Sequence, residues 1–524
     1  MECPTKTLSF FTLFALSLAS NGCTSSEMAD YGRVYSTPQP TRHFDPEVGL
    51  TTDDDFLTNA FQNVSDHPLS TFSIDVDTAS YSMSRNFLLH DELPPREIVR
   101  TEEFLNYFTY DYAQPTGESP ISTTFEMAAC PWNAGHHLLL VGLQAKDIPK
   151  ESIPASNLVF LLDVSGSMSA RNKLPLLQDS MRLLVAELRP QDRVAIVTYA
   201  GSAGLVLDST PGTEKTKILS AINALSSGGS TAGGEGIELA YSVASDYFQE
   251  DGNNRIILAT DGDFNVGISD DSELVQLIAS KREQNIFLSV LGFGNGNYRD
   301  HKMEGLADHG NGNYTYIDSL LEAKKALVTE FGSTMYTVAK DVKLQIEFNP
   351  AAVSAYRLIG YENRMLEDKD FNDDRKDAGE MGSGHQVTAL YEIIPADSLE
   401  AHGGVDALKY QQASMPKVAP NEEWFTLKVR YKDPHSKQST RFEHSATKQQ
   451  IWSTSTSRNF DFASSVAECC LVLRDSEFKA EASLENAIAR GKLAKGTDLQ
   501  GYRSEFLLQM EKAKLLLWST KDLD

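Results

Sequence analysis

The amino-acid sequence predicts an α/β fold built on a doubly wound, mostly parallel sheet. Strand-like and helix-like patterns alternate over residues 154–335, and such alternation is typical of a parallel sheet covered by helices on both faces. The first strand, 157–163, is an apolar run that ends in Asp163, as expected for a strand buried on both faces. We expect a small N-terminal α+β unit and a β-sandwich-like plus helical C-terminal region to flank this sheet.

The spacing of apolar residues predicts the helices and strands of the central region. After a loop at 164–168, apolar residues recur three or four positions apart and predict the first helix: Leu174, Leu177, Met181, Leu184, Val185 and Leu188. The same reasoning predicts strands at 193–199, 255–260, 286–292 and 314–317, and helices near 214–225, 235–248, 271–282 and 320–331. Ligands of such folds bind beyond the carboxyl ends of the strands, so functional residues are expected in the loops that follow them.

The chain of 524 residues is too long for a single core and is expected to form several units. Period-two alternation after the central region, as in Val342, Leu344 and Ile346, predicts half-buried antiparallel strands. The predicted organisation is a signal peptide over 1–22, a flexible tether over 23–65, an N-terminal unit over 66–150, the α/β domain over 154–335, a β-rich domain over 336–455 and a helical region over 456–524.

The charge balance excludes one class of partner. Acidic residues number 73 and basic residues 47, which gives a formal net charge of −26. Nucleic acids are bound by clustered Lys and Arg that release counterions from the phosphates, and an acidic surface repels them. We therefore expect no nucleic-acid partner.

The N-terminal residues have the pattern of an export signal. An apolar run from Leu8 to Ala19 follows Lys6 and is too short to span a bilayer as a mature helix. It leads into the residues SNGC at 20–23, which resemble a bacterial lipobox. The resemblance implies a lipid anchor on Cys23 and, because Thr24 follows instead of Asp, an outer-membrane protein facing the periplasm. An ordinary secretory signal, cleaved near Ala19, is the alternative.

Three loops of the central region carry oxygen ligands. The first holds Asp163, Ser165 and Ser167 at alternate positions, the second contains Thr231, and the third contains Asp261. Hydroxyls and carboxylates without His or Cys among them favour Mg²⁺, Mn²⁺ or Ca²⁺ over zinc or copper. Side chains at alternate positions can converge on one ion if the loop curls around it, and glycines in the loops permit tight turns.

These loops resemble the von Willebrand factor type A (vWA) domain and its metal-ion-dependent adhesion site, MIDAS. The resemblance implies that Ser165, Ser167 and Thr231 are hydroxyl ligands and that Asp163 and Asp261 are carboxylate ligands, often acting through water. It also implies a divalent cation, Mg²⁺ before Mn²⁺ or Ca²⁺, with one coordination position left for a carboxylate of a protein partner. A vWA fold that binds no metal is the alternative.

The resemblance extends over nearly all of the predicted mature chain. The stretches STFSIDVDTASYS (70–82), LPPREIVRTEEFLNYFTYDY (93–112) and ILATDGDFNVG (257–267) are similar to bacterial vWA lipoproteins of the YfbK type. Relatives carry a label as calcium-activated chloride channel homologues. No second apolar segment reaches about 18 residues, so we expect no pore.

The expected function is therefore non-enzymatic binding of a protein partner in the cell envelope. A metal-dependent, phosphatase-like hydrolase is the alternative, based on Asp263 beside Asp261 and on the pair Asp75 and Asp77. Against it, the sequence has no HExxH or GxSxG motif. A structural envelope scaffold with an idle metal site is a third possibility.

Overall fold

The computed structural model describes residues 58–74, 77–229, 233–262, 271–294, 300–330, 336–376, 378–398, 423–434, 436 and 438–521. The predicted signal peptide, most of the tether and Cys23 lie outside these residues, as do Asp75, Thr231 and Asp263. None of the helices in the described ranges combines the length and the apolar character that a membrane crossing requires.

Strands and helices alternate through the described part of the chain. The strands are β1 Gln62–Asn63, β2 Leu69–Ser73, β3 Ile121–Ala129, β4 His137–Ala145, β5 Ser156–Asp163, β6 Arg193–Tyr199, β7 Ala203–Pro211, β8 Asn253–Thr260, β9 Ile286–Phe293, β10 Tyr314–Ile317, β11 Thr337–Phe348, β12 Val353–Ile359, β13 Met381–Gly382, β14 Gln386–Pro395, β15 Glu423–Lys432 and β16 Ser439–Thr447. The helices are α1 Ala79–Leu89, α2 Thr101–Asn106, α3 Leu174–Glu187, α4 Lys215–Asn223, α5 Gly233–Asp246, α6 Asp271–Arg282, α7 Asp300–His309, α8 Leu320–Lys324, α9 Lys448–Ile451, α10 Arg458–Leu473, α11 Leu484–Ala494 and α12 Tyr502–Lys521.

The central sheet has the strand order β10-β9-β8-β5-β6-β7. Its first five strands are parallel and β7 is antiparallel to β6, so the predicted mostly parallel sheet is confirmed. Neither β7 nor α7 was expected from the sequence. Every residue of β5 and of β8 is buried, which explains the apolar runs at 158–162 and 256–259 in these strands.

Helices cover both faces of the central sheet. Alternate residues of β5 point to opposite faces. Val159 and Leu161 belong to one apolar cluster together with residues of α5, α6 and α7. Phe160 and Leu162 belong to a second cluster together with residues of α3, α4 and α8. The predicted double winding is therefore confirmed.

A β-sandwich combines strands from both sides of the central sheet in the chain, β1–β4 before it and β11–β16 after it, so it includes more of the sequence than predicted. One of its sheets has the order β1-β12-β14-β4-β3, and in the other β11 pairs with β2, β13 and β15, with β16 outside β15. Apolar residues of both sheets, among them Val141 and Ile346, form one core. The predicted β-rich character is confirmed for the described residues of 336–455.

Two strands of the predicted N-terminal unit, 66–150, pair with strands of the predicted β-rich domain. Hydrogen bonds join β4 to β14 over eight residue pairs, from His137↔Ile393 to Gln386↔Gln144, and β2 joins β11. Periodicity identifies a strand but not its partner, because backbone pairing carries little sequence information. The two predicted units therefore share one sandwich.

The predicted helical C-terminal region is confirmed, and it packs on the N-terminal helices. Phe462 of α10 and Phe506 of α12 contact Phe108, just after α2, with ring centroids 5.0 and 5.3 Å apart. Cys469 and Cys470 are fully buried in the same core as free thiols. Their burial agrees with the small-residue core role that the helical spacing of Cys470 predicts.

Candidate metal centre

The topology brings two of the predicted loops to the same edge of the central sheet. β5 and β8 are parallel neighbours, and the register pairs Leu162 with Ala259. Asp163, the last residue of β5, and Asp261, directly after β8, therefore lie at the carboxyl ends of adjacent strands. Asp163 is fully buried and Asp261 is only 6 % exposed. Both carboxylates therefore lie at one edge of the sheet.

The carboxylate of Asp163 is held by donors from three segments. Its Oδ1 accepts a hydrogen bond from the backbone N–H of Ser165 at 2.8 Å. Its Oδ2 accepts from the Tyr199 hydroxyl at the end of β6 and from the Thr260 hydroxyl at the end of β8, each at 3.3 Å. Burial raises the pKa of the Asp163 carboxyl, while the hydrogen bonds from Ser165 and Tyr199 lower it. These donors fix the orientation of the carboxylate.

The first loop presents two hydroxyls beside this carboxylate. The Oγ atoms of Ser165 and Ser167 lie 3.0 Å apart, close enough for both to contact one ion. Ser165 is buried, whereas Ser167 is exposed. Met168, next in the chain, is fully buried among the residues of α3. Its side chain therefore anchors the loop in the core. The hydroxyl pair is thus open to solvent on one side only.

Backbone hydrogen bonds of Gly228 and Gly229 join the second loop to the first. The Gly228 N–H donates to the Val164 carbonyl at 2.8 Å, and the Gly166 N–H donates to the Gly229 carbonyl at 3.1 Å. Gly229 has a φ of +85°, which L side chains rarely adopt. A Cβ at this residue would also lie 3.1 Å from the backbone nitrogen of Gly201. Thr231, the predicted ligand in this loop, lies outside the described residues.

Lys173, which the sequence patterns did not indicate, also lies at this edge and contacts Asp261. The Nζ of Lys173 donates to Oδ2 of Asp261 at 2.7 Å, and the Lys173 side chain is 16 % exposed. Its methylenes lie over Gly294, where an added Cβ would come within 2.3 Å of the Lys173 Cε. Tyr199 was also missed, and Thr260, although part of the predicted third loop, was not proposed as a donor to Asp163. All three act through contacts between separate segments, and the only local signal was the position of Lys173 just before α3.

The donor set fits a hard divalent cation. Asp163, Ser165, Ser167 and Asp261 supply two carboxylates and two hydroxyls at one sheet edge. Within the described ranges no three residues of the types His, Cys, Asp and Glu group as a metal cluster. Hydroxyls and water would therefore have to provide most of the coordination, which is the preference of Mg²⁺ and Mn²⁺ over zinc. When bound, such an ion would supply a positive charge that attracts an external carboxylate.

Asp77, one of the acidic residues of the hydrolase alternative, does not lie at this edge. Oδ1 of Asp77 accepts from the backbone N–H of Tyr314 at 3.0 Å. Tyr314 is the first residue of β10, so Asp77 lies at the amino end of the parallel strands. Its Oδ2 faces Arg364 at 3.5 Å. Asp75 and Asp263 lie outside the described residues.

Three family models match successive parts of the chain. The model described as von Willebrand factor matches residues 52–140, and the model described as von Willebrand factor type A domain matches residues 157–330. The model described as Uncharacterized protein YfbK, C-terminal, matches residues 333–516. The second match covers the central sheet together with the candidate metal centre, and domains of this type commonly bind a divalent cation at a MIDAS.

Comparison with individual proteins agrees with these matches. The protein named Uncharacterized protein YfbK from Escherichia coli (strain K12) is 44 % identical over 466 residues, which cover 87 % of this chain and 80 % of the relative. Uncharacterized protein sll0103 from Synechocystis sp. (strain ATCC 27184 / PCC 6803 / Kazusa) is 27 % identical over 37 % of this chain and 46 % of its own length.

A solved structure of proximal thread matrix protein 1 from the mussel byssus, described as having a zinc occupied MIDAS motif, is 21 % identical over 36 % of this chain and 46 % of that chain, with a TM-score of 0.28. The family assignment rests on the sequence matches and not on this likeness. With 44 % identity across most of both sequences and a vWA domain at its centre, the chain belongs to the YfbK family of vWA proteins.

Proposed function

We propose that this chain is a non-enzymatic binding protein that captures an acidic residue of a protein partner through a divalent cation, Mg²⁺ first. The observation that carries the proposal is the meeting of Asp163, Ser165, Ser167 and Asp261 at one sheet edge, with the carboxylates buried and Ser167 exposed. An ion held there would have protein ligands on its inner side and an accessible outer side. Thr231 is proposed as the fifth ligand.

The charges of this edge support the proposal. The negative charges of Asp163 and Asp261 would balance the charge of a divalent ion. A carboxylate of the partner would then bind at the coordination position that faces solvent. The Lys173 ammonium pairs with Asp261 at 2.7 Å and would have to yield this carboxylate to the ion. A carboxylate bound to a desolvated metal ion is a specific contact, since most other surface groups cannot replace it.

A hydrolase remains the competing function, and the described residues favour it less. A nucleophilic Ser needs an adjacent base, and no described histidine contacts Ser165 or Ser167, whose hydroxyls contact each other. Asp77 contacts Tyr314 at the opposite edge. Metal-dependent turnover of generic phosphatase or esterase substrates that is abolished by Asp261→Ala would favour the hydrolase instead.

We also propose that the protein is anchored in the cell envelope through a lipid on Cys23, facing the periplasm. The support is the sequence alone: an apolar run followed by SNGC. Replacing Cys23 by Ser should release the protein from the membrane fraction without reducing its amount. Retention of this variant in the membrane fraction would contradict the anchor.

The proposed capture is tested by pull-down from an envelope extract. Wild-type protein is used with Mg²⁺ and with EDTA, and Asp163→Ala is used with Mg²⁺. Asp179→Ala is the matched control, because Asp179 lies on α3 with its side chain 53 % exposed. A partner retained only by wild type and Asp179→Ala with Mg²⁺ supports the proposal. Conversion of the extract's carboxylates to amides with a carbodiimide and an excess of a small amine should then abolish capture. Equal capture in EDTA contradicts a metal-mediated contact.

A further inference from the structure

A cavity lies between the amino end of the central sheet and the β-sandwich, away from the candidate metal centre. Its volume is about 660 Å³, within the range of small-molecule sites. Arg255 of β8 and Tyr314 of β10 line it from the central sheet. Gln144 of β4, Glu380 and His385 line it from the sandwich. The function proposed above makes no use of this cavity.

Arg255 is a buried cation in the wall of the cavity and differs from the other basic residues there. The residue is 2 % exposed, and its Nη1 donates to the Ser289 hydroxyl at 2.7 Å. Its Nε has no hydrogen-bond partner, and no described carboxylate forms an ion pair with it. The guanidinium carbon lies 5.6 Å from the centroid of the Phe287 ring. Burial lowers the pKa of Arg255 to about 10, so the group stays charged at neutral pH.

Other basic groups of the wall have ionic partners. Arg364 faces Asp77 at 3.5 Å and Asp308 at 3.1 Å. Lys150 pairs with Glu187 at 2.9 Å. A buried cation without a matching anion is costly in free energy, because its desolvation is not offset. Arg255 is therefore the group of this wall with unused capacity for an anion.

Glu380, the acidic neighbour of Arg255, is engaged elsewhere. Its Oε1 accepts from the Asn311 side chain at 2.6 Å and its Oε2 from the Thr337 hydroxyl at 2.9 Å. Burial raises the pKa of Glu380 to about 7, which weakens it as a counter-ion near neutral pH. Burial also lowers the pKa of His385 to about 4, so this ring adds no competing positive charge.

We propose that this cavity binds the oxyanion group of a small molecule, a carboxylate or a phosphate, on the guanidinium of Arg255. The planar N–H fork of arginine matches two oxygens of such a group. N–H groups of the Arg255 guanidinium at the cavity wall would donate to these oxygens, and the anion would supply the missing charge. The site lies at the amino ends of the strands, so it does not depend on the metal proposal.

The test is calorimetric titration of the full chain with sodium succinate and with sodium phosphate, each compared with sodium chloride at equal ionic strength. Arg255→Gln removes the charge. Arg441→Gln is the matched control, since the Arg441 side chain on β16 is 51 % exposed. We expect saturable binding of at least one oxyanion to wild type and to Arg441→Gln, and at least tenfold weaker binding to Arg255→Gln. Succinate alone would indicate a carboxylate ligand, and phosphate alone a phosphate ester.

A second variant covers the case in which Arg255→Gln does not fold. Met365 lines the cavity and is 43 % exposed, so Met365→Trp narrows the entrance without changing a buried group. It should weaken oxyanion binding at least threefold. The proposal is overturned if neither oxyanion binds wild type above chloride, or if a folded Arg255→Gln or Met365→Trp binds as tightly as wild type.

Discussion

The ammonium of Lys173 lies 2.7 Å from Oδ2 of Asp261, so a cation of the chain itself faces one of the two carboxylates proposed to hold the metal. A divalent ion bound to Asp261 would meet this positive charge at close range, and like charges repel strongly where water is excluded. Lys173 therefore competes with the ion for the same carboxylate.

Replacing Lys173 with Met should raise the affinity for Mn²⁺ by about tenfold, equivalent to about 1.4 kcal/mol. Calorimetric titration measures the change. Lys217→Met is the control, because the Lys217 side chain is 58 % exposed on α4. An unchanged or lower affinity in Lys173→Met would show that the lysine does not compete with the ion.

Tyr199 orients Asp163 through its hydroxyl, which donates to Oδ2 at 3.3 Å. Loss of a hydrogen bond that orients a metal ligand typically weakens metal binding by about tenfold or more. Tyr199→Phe should therefore weaken Mn²⁺ binding by about tenfold with little change in fold. Tyr247→Phe loses an exposed hydroxyl contact to Asp208 and should bind like wild type. Equal Mn²⁺ affinity in the two variants would show that the Tyr199 hydroxyl does not contribute to metal binding.

The sequence predicted the parallel sheet and the edge where its ligands meet, because both depend on local patterns. The apolar run before Asp163 is typical of an interior strand, and the carboxyl ends of parallel strands share an edge. Lys173, Tyr199 and Thr260 could not be predicted, since their roles depend on contacts between separate segments. The pairing of β4 with β14 was missed for the same reason: alternation shows which face of a strand is buried, not which strand lies beside it.

Arg85 joins three segments in the interior. Its guanidinium donates to Asp318 at 2.6 Å, to Glu322 of α8 at 2.8 Å and to Glu505 of α12 at 2.9 Å. Removing one partner of a buried ionic network leaves charges uncompensated, so Arg85→Met should lower the free energy of unfolding by about 3–5 kcal/mol.

Denaturant titration measures this loss. Arg96→Met is the control, because the Arg96 side chain is 58 % exposed and pairs with Asp475 at the surface. Its cost should stay within about 1 kcal/mol. Similar values for the two arginines would show that the buried network does not stabilise the fold.

The buried carboxyl of Glu102 makes stability depend on pH. Burial raises its pKa to about 7, with Glu362 and Glu103 adding to the effect. The folded state then holds a proton that the unfolded state releases near its ordinary pKa of about 4.5. The stabilisation is complete below that pH and is lost as the pH rises through about 7.

Glu102→Gln should therefore lose less stability than wild type between pH 5 and pH 8, by about 1–3 kcal/mol. Denaturant titrations at the two pH values give this difference. Glu443→Gln, whose native side chain is 58 % exposed, should follow wild type. A Glu102→Gln profile parallel to that of wild type would contradict the raised pKa.

Direct titration of Mg²⁺ into the full chain tests the central claim, that the Asp163 and Asp261 edge holds a divalent cation. Wild type, Asp163→Ala and the exposed control Asp179→Ala are titrated side by side. The account predicts one Mg²⁺ per chain for wild type and for Asp179→Ala, and no measurable binding for a folded Asp163→Ala. Mg²⁺ binding of equal strength in Asp163→Ala, or none in wild type, would contradict it.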